Sequence, residues 1–262
     1  MVIRPATAWL LAVIGALTLL GAPMPARAQT VDAAVALAAD VSRSIDEDEF
    51  LLQRQGYAAA ITSTQFLGAV ASMPHAAVAL CFIEWAGIGD QTVVVDWTVI
   101  RDRDGAAAFA KRLLDAPRSS FGRTAIGDGI DFAVARLESA QFATERRIVD
   151  VSGDGTSNSG RPVSMARDEA VEKGITINGL AIINEKTGGE FGTFLYAHTH
   201  PPGGLAHYYH DNVVGGPGSF VLQIVNFDAF AQAMTDKLVA EVSMRTAPSR
   251  RASLSAPGPN SR

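Results

Sequence analysis

Cysteine is nearly absent from this sequence: Cys81 is the only one in 262 residues. One thiol closes no internal disulfide, which excludes a disulfide-stapled scaffold. It falls in an apolar run, residues 76–85, and reads as a small buried hydrophobe rather than a reactive thiol. Acidic residues are missing from both ends. All 27 lie between Asp32 and Glu241, while the last eighteen residues carry four arginines and no acid. The interior is therefore more acidic than the formal net charge of -5 suggests, which argues against a nucleic-acid-binding domain and is compatible with a cation site. Apolar runs of membrane-spanning length are lacking as well. Residues 9–20 form an apolar run short of the roughly 20 residues a spanning helix needs. What is present, 48% hydrophobic and 19% charged residues, excludes a disordered or collagen-like chain and can fill a sizeable core.

That short apolar run has a recognisable setting. Arg4 precedes it, a Pro-Met-Pro stretch follows, and Ala26-Arg27-Ala28 satisfies the small-x-small rule. Residues 1–28 thus read as a secretory signal peptide cleaved before Gln29. The expectation is an exported protein, periplasmic or secreted, with no stable membrane span after cleavage. Residues 246–262, rich in Ser, Pro and Arg, read as a disordered tail, leaving 29–245 as one domain.

Within that domain strand-like and helix-like segments alternate, the pattern of an α/β fold. Residues 31–39 are continuously apolar, as in a strand covered on both faces. Strands are also expected at 76–84, 91–99, 146–152, 175–182 and 219–224, and helices at 46–65, 104–114, 125–138, 163–173 and 228–244. The short Gly-rich segment 87–90 makes 76–84 and 91–99 a hairpin. The sum is a doubly wound, mostly parallel six-stranded sheet with one antiparallel edge strand and helices on both faces. Residues 187–218, rich in Gly, Pro, His and Tyr, show no clear period and read as an insertion.

Three loops carry the chemistry. Asp40-Val41-Ser42-Arg43-Ser44 follows the first buried strand, where α/β sheets bind ligands. An Asp with hydroxyls two and four residues on can aim three oxygens at one point. The local alternative is a capping box of Ser44 with Glu47. Gly122-Arg123-Thr124 opens a helix, with Thr124 as a further hydroxyl or simply an N-cap. It lacks the lysine of a phosphate-binding Walker loop. Ser152-Gly153-Asp154-Gly155 ends another strand in an Asp between glycines. Carboxylate and hydroxyl oxygens are hard ligands, suited to Mg²⁺, Ca²⁺ or Mn²⁺.

In this order the loops resemble the metal-ion-dependent adhesion site of the von Willebrand factor A domain family, an Asp-x-Ser-x-Ser loop, a Thr loop and an Asp-Gly loop. The matching residues are Asp40, Ser42, Ser44, Thr124 and Asp154. The resemblance spans residues 31–244. More narrowly, Phe82-Ile83-Glu84-Trp85, the segment 212–218 and residues 227–241 are similar to the exported bacterial A-type group catalogued as DUF1194. The resemblance implies one divalent cation held by those five residues, with a coordination position left for a protein partner's Asp or Glu. The competing readings are a metal-dependent phosphohydrolase and a metal-stabilised, non-catalytic scaffold. Against the first, Ser42 stands where the phosphatases with a comparable loop carry an acid/base Asp, and no Gly-x-Ser-x-Gly elbow is present. His198, His200, His207 and His210 crowd the insertion and form a candidate second metal site or partner face. Glu84 and Trp85 border the same sheet edge, Trp85 reading as core.

Overall fold

The computed structural model describes residues 28–183, 197–225 and 227–244. The leader up to Arg27, the first part of the insertion and the tail lie outside the described residues. Eight strands, β1 (Gln29–Thr30), β2 (Ala33–Asp40), β3 (Val78–Trp85), β4 (Gln91–Ile100), β5 (Phe142–Ala143), β6 (Arg147–Gly153), β7 (Ile175–Ile183) and β8 (Val221–Val225), alternate with helices. The helices are α1 (Glu47–Thr62), α2 (Thr64–Ala71), α3 (Arg103–Asp115), α4 (Ile126–Ser139), α5 (Val163–Glu172), α6 (Leu205–Asn212) and α7 (Phe230–Ser243).

The main sheet has six strands in the order β4-β3-β2-β6-β7-β8. Among the described residues only the β3–β4 strand pair is antiparallel, joined by the short Gly-rich turn. This is the doubly wound α/β sheet the alternating pattern predicts. Every residue of β2 and β3 is buried, which is why both read as unbroken apolar runs rather than alternating ones. One side chain layer, with Leu37, Tyr57, Phe82 and Phe230, packs under α1, α2, α3 and α7. The other, with Ala36, Trp85, Ile130 and Tyr209, packs under α4, α5 and α6. Cys81 is free and buried in the second layer, and burial pushes its thiol up to about 12.

Three local expectations need correction. The single helix expected over 46–65 is two, because Ser63 takes an extended conformation and its hydroxyl caps α2 by accepting from Phe66 N at 3.1 Å. The unpatterned insertion contains a helix, α6, whose buried face is only Leu205 and Tyr209, too few positions to show a period. A two-residue parallel pair, β1 with β5, was not anticipated; two residues carry no periodic signal. By contrast Gly174 closes α5 as expected, at φ +71°.

A charged cluster lies inside the first layer. Lys237 of α7 is fully buried, with Nζ 2.5 Å from Asp150 Oδ1 on β6 and 2.5 Å from Glu241 Oε1 one turn on. Asn178 of β7 donates to Glu241 at 2.9 Å. Two carboxylates thus share one fully buried ammonium. Burial, then the charge of Asp150, pushes Glu241 up to about 7. Burial works against the charge on Lys237, but the two carboxylates outweigh it and raise its pKa.

Candidate metal centre

The fold decides where the three loops meet. Strands β2 and β6 are neighbours at the middle of the sheet, and the chain leaves them in opposite directions: β2 is followed by β3 on one side, β6 by β7 on the other. The carboxyl ends of two such strands splay their loops apart and open a crevice. Asp40 is the last residue of β2, and Asp154 follows the last residue of β6.

The first loop is shaped by its own carboxylate. Asp40 Oδ1 accepts from Ser42 N at 2.7 Å, which turns the backbone so that Ser42 and Ser44 lie on one side, their hydroxyl oxygens 3.2 Å apart. Arg118 fastens the turn from behind, donating to the carbonyls of Val41, Ser42 and Ile45. Ser44 Oγ then donates to Asp154 Oδ1 at 2.6 Å and joins the first loop to the third. The capping box anticipated for Ser44 and Glu47 does not form. Asp46 and Glu49 make it instead, two residues later, with Asp46 Oδ1 accepting from Glu49 N at 2.8 Å. Ser44 is therefore left to the crevice.

The second and third loops are pinned to each other. Asn158 Oδ1 accepts from Thr124 N at 3.0 Å, and Thr124 O accepts from Asn158 N at 2.9 Å. Nor does Thr124 cap α4, whose N-cap is Ala125 without a side-chain bond. Its hydroxyl faces His198 Nε2 at 3.1 Å. The glycines around Asp154 are there for proximity. A Cβ on Gly153 would come within 2.6 Å of Tyr209 Oη and 2.9 Å of Asp40 Oδ2; one on Gly155 would come within 2.3 Å of His198 Nε2.

The five expected residues are thus brought to one crevice. Asp40, Ser42, Thr124 and Asp154 are buried and Ser44 is half-buried. Asp40 Oδ2 and Asp154 Oδ2 have no hydrogen-bond partner among the described residues. Burial pushes Asp40 up to about 7, and burial together with the charge of Asp40 holds Asp154 well above the usual carboxylate range. Two orphaned carboxylate oxygens beside three hydroxyls are a donor set that a hard divalent cation fits: it would satisfy both oxygens and offset both charges.

His198 is set apart from His207 and His210. His198 is buried at this crevice, and burial lowers it to about 4, so it is neutral at pH 7. His207 and His210 are exposed on α6, each beside Asp211. Among the described residues no three His, Cys, Asp or Glu side chains come together as a metal set. Glu84 does not face the crevice as a free acid. It is buried against Arg54, 2.5 Å from Nη2, and accepts from Ser119 N at 2.9 Å, thereby anchoring the segment that leads to Arg118 and Thr124. Arg118, Asn158 and Tyr209 escaped sequence reading. Arg118 acts through backbone carbonyls, which leave no residue-type signal; Asn158 sits four residues past Asp154 in a run that resembles an ordinary turn.

The pKa shifts set the sign of a pH effect. Asp40, Asp154 and Glu241 hold protons in the folded state that the unfolded chain releases near pH 4. Their contribution to stability is present below that pH and is lost as pH rises through their raised folded-state values, about 7 for Asp40 and Glu241. His198 acts oppositely, but only below about pH 6.5, where the unfolded imidazole protonates. In chelator, the urea midpoint is therefore expected to fall between pH 6.5 and pH 8. A rising midpoint would contradict the burial of these acids.

Comparison with known proteins agrees with the fold. The family profile described as "Protein of unknown function (DUF1194)" matches residues 30–246. No curated protein matches the sequence. Among solved structures, a von Willebrand factor type A protein from Catenulispora acidiphila superposes with a TM-score of 0.56 at 15% identity, over 81% of this chain and 43% of that one. The pilus adhesin SpaC of Lactobacillus rhamnosus GG, in an open conformation, gives 0.57 at 14%, over 81% and 30%. Proximal thread matrix protein 1 of the mussel byssus, with a zinc-occupied MIDAS motif, gives 0.55 at 15%, over 82% and 49%. The chain thus spans less than half of each, and at such identities the likeness establishes the fold alone.

Proposed function

Because this chain belongs to the DUF1194 family and has a von Willebrand factor A-type fold, we propose that it is an exported binding domain whose crevice holds one divalent cation and meets a carboxylate of a protein partner. Asp40, Ser42, Ser44, Thr124 and Asp154 are the residues that hold the cation, Mg²⁺, Ca²⁺ or Mn²⁺ by the hardness of their oxygens. The observation that carries this reading is the pair of buried oxygens without a partner among the described residues, Asp40 Oδ2 and Asp154 Oδ2, at the switch point of the sheet. When bound, the cation supplies the positive charge that a partner's Asp or Glu meets.

The residues around the crevice suit such a partner. Arg43 of the first loop and Arg123 of the second are exposed beside it. Phe121 and Ile88 are exposed at 57% and 68%. Their segments touch, since Gly122 packs on Gly87 and Asp90. Positive charge beside exposed apolar surface favours an acidic protein segment with an apolar flank. The role is binding rather than catalysis: Ser42 replaces the acid/base carboxylate that a phosphohydrolase of similar loop order needs. Export rests on the leader read at residues 1–28.

The test is capture of exported proteins on the immobilised, purified protein in Mg²⁺, followed by chelator. Partner retention in Mg²⁺, release by chelator and no retention by Asp40→Ala are expected. Retention indifferent to chelator would sink the metal-bridged reading. A second reading, a cation that only stiffens the domain, is favoured by the burial of four of the five ligating residues. It predicts cation-dependent melting without cation-dependent capture.

A further inference from the structure

The two edges of the main sheet are finished differently. At one edge β4 slips out of register against β3 between Leu80 and Ile83, and it carries exposed Asp96, held by Arg136 at 2.5 Å. Irregularity and charge of this kind keep an edge from pairing with a further strand. At the other edge β8 runs in unbroken register along β7 over all of its residues, Val221–Val225. It contains no proline, and neither it nor the sequence around it, residues 213–226, carries a charge. Both of its faces are packed, Leu222 and Ile224 in the layer under α7 and Val221 in the layer under α6. Its backbone alternates. Phe220 O accepts from Gly179 N at 3.0 Å and Phe220 N donates to Asn178 Oδ1 at 3.2 Å, so position 220 faces β7, and 222 and 224 follow. The N–H and C=O groups of Val221, Gln223 and Val225 therefore point outward, and among the described residues nothing bonds them.

We propose that β8 is a self-pairing edge: a second copy of this chain adds its own β8 antiparallel, about a two-fold axis at Gln223, and the two six-stranded sheets become one. The order of residues argues for a second copy rather than a foreign strand. Val221-Leu222-Gln223-Ile224-Val225 reads almost the same in both directions. Antiparallel pairing about Gln223 sets Val221 opposite the partner's Val225 and Leu222 opposite the partner's Ile224, while the two Gln223 face each other. Apolar residues then meet apolar residues across the strands. The same register opposes outward-pointing residues only to outward-pointing residues. Each such antiparallel pair exchanges both of its N–H···O bonds, giving about six main-chain bonds across the axis. A slip of one residue would oppose outward backbone to inward backbone and forfeit them. The absence of charge from 213 to 226 means that the axis brings no like charges together. Area sets the strength. A ribbon of this length alone buries less than the about 1,200–2,000 Å² of a stable interface. Exposed apolar surface stands beside it, Val225 at 44% and Met244, which reaches Gly218 just ahead of β8, at 38%. The pairing is accordingly a weak, reversible one. It needs no cation and stands apart from the centre proposed above.

The experiment is sedimentation of the purified full chain over a range of concentrations up to about 200 μM, in chelator and in Mg²⁺, paired with cysteine cross-linking. The expected result is a reversible dimer with a Kd of about 1–100 μM, the same in both buffers. Gln223 is exposed, so Gln223→Lys should leave the melting temperature of the monomer unchanged while setting two ammonium groups against each other on the axis and weakening the dimer at least about threefold. Gln223→Pro removes an outward N–H and no bond to β7, and should weaken it at least about tenfold. On mild oxidation Gln223→Cys should give a disulfide-linked dimer, because hydrogen-bonded antiparallel partners stand about 5.5 Å apart at Cα, within disulfide reach. Thr92→Cys on β4 should not, and buried Cys81 does not report. The cross-link decides the matter even if the proline variant does not fold. A chain that stays monomeric throughout, a dimer indifferent to both Gln223→Lys and Gln223→Pro, or cross-linking no faster at 223 than at 92 would overturn the pairing. A monomer whose Gln223 amide is protected from hydrogen exchange would overturn it in favour of an edge covered by this chain's own residues.

Discussion

Asp154→Ala is expected to abolish divalent-cation binding, lowering affinity by at least about 100-fold in calorimetry, while leaving the metal-free protein as stable as before or more so. The two halves have one cause. Asp154 is fully buried, its Oδ2 has no partner among the described residues, and its carboxyl is held far above the usual range by burial and by the charge of Asp40. In the metal-free state it is therefore a liability, since a buried carboxyl without a counter-charge must either keep a proton that the unfolded chain releases or carry an unmatched charge. In the bound state it supplies one of two negative charges, and one carboxylate with three hydroxyls leaves a divalent ion underbalanced. A ligand at 100 times its Kd stabilises a folded protein by about 2.7 kcal/mol. That increment, read as a rise in melting temperature on adding cation, should vanish in Asp154→Ala. Retained affinity, or a metal-free variant that is markedly less stable, would remove Asp154 from the centre and make it a packing residue.

Lys237→Met should destabilise the domain by about 3–5 kcal/mol, the usual cost of removing one partner from a buried ion pair. The lysine is enclosed between Asp150 and Glu241, and methionine fills most of its volume but neutralises neither carboxylate. Proton uptake offsets part of the loss, so the deficit should be smaller at pH 6 than at pH 8, in the direction that Glu241's raised pKa already indicates. Adding Asp150→Asn to Lys237→Met should recover part of the stability, because it removes one of the two charges left unmatched. Urea unfolding of the two variants at both pH values checks this. A loss below about 1 kcal/mol, or no recovery in the double variant, would show that the cluster's charges do not govern stability.

The two networks differ in how far they could be read from the chain. Asp40, Ser42, Ser44, Thr124 and Asp154 were legible because their order is a motif and two of its loops end strands that are themselves plain apolar runs. The expectation for the loops erred only locally. Ser44 and Thr124 each had a capping role to choose from, and each is used in the crevice while Asp46 and Ala125 take the N-cap positions. The cap can slide by a residue or two; the hydroxyl in the crevice cannot. Lys237 and Glu241 were not legible. Charges within a helix normally mark its solvent face, and Asp150 sits in a strand whose neighbours are apolar. Their burial follows from β6 and α7 being packed together, a contact between residues nearly ninety positions apart.

What the sequence determined by itself is therefore the alternating α/β plan, the antiparallel edge hairpin and the five candidate residues that the fold gathers at one crevice, since each is written in local periodicity or in a short motif. Tertiary structure alone decided that Arg118 holds the first loop by three carbonyls, that His198 leaves the other histidines for the crevice, and that Lys237 lies between two carboxylates. Those contacts join segments far apart in the chain. Whether a charge or an imidazole lies in water or in the core is set by what packs over it, not by its neighbours in sequence.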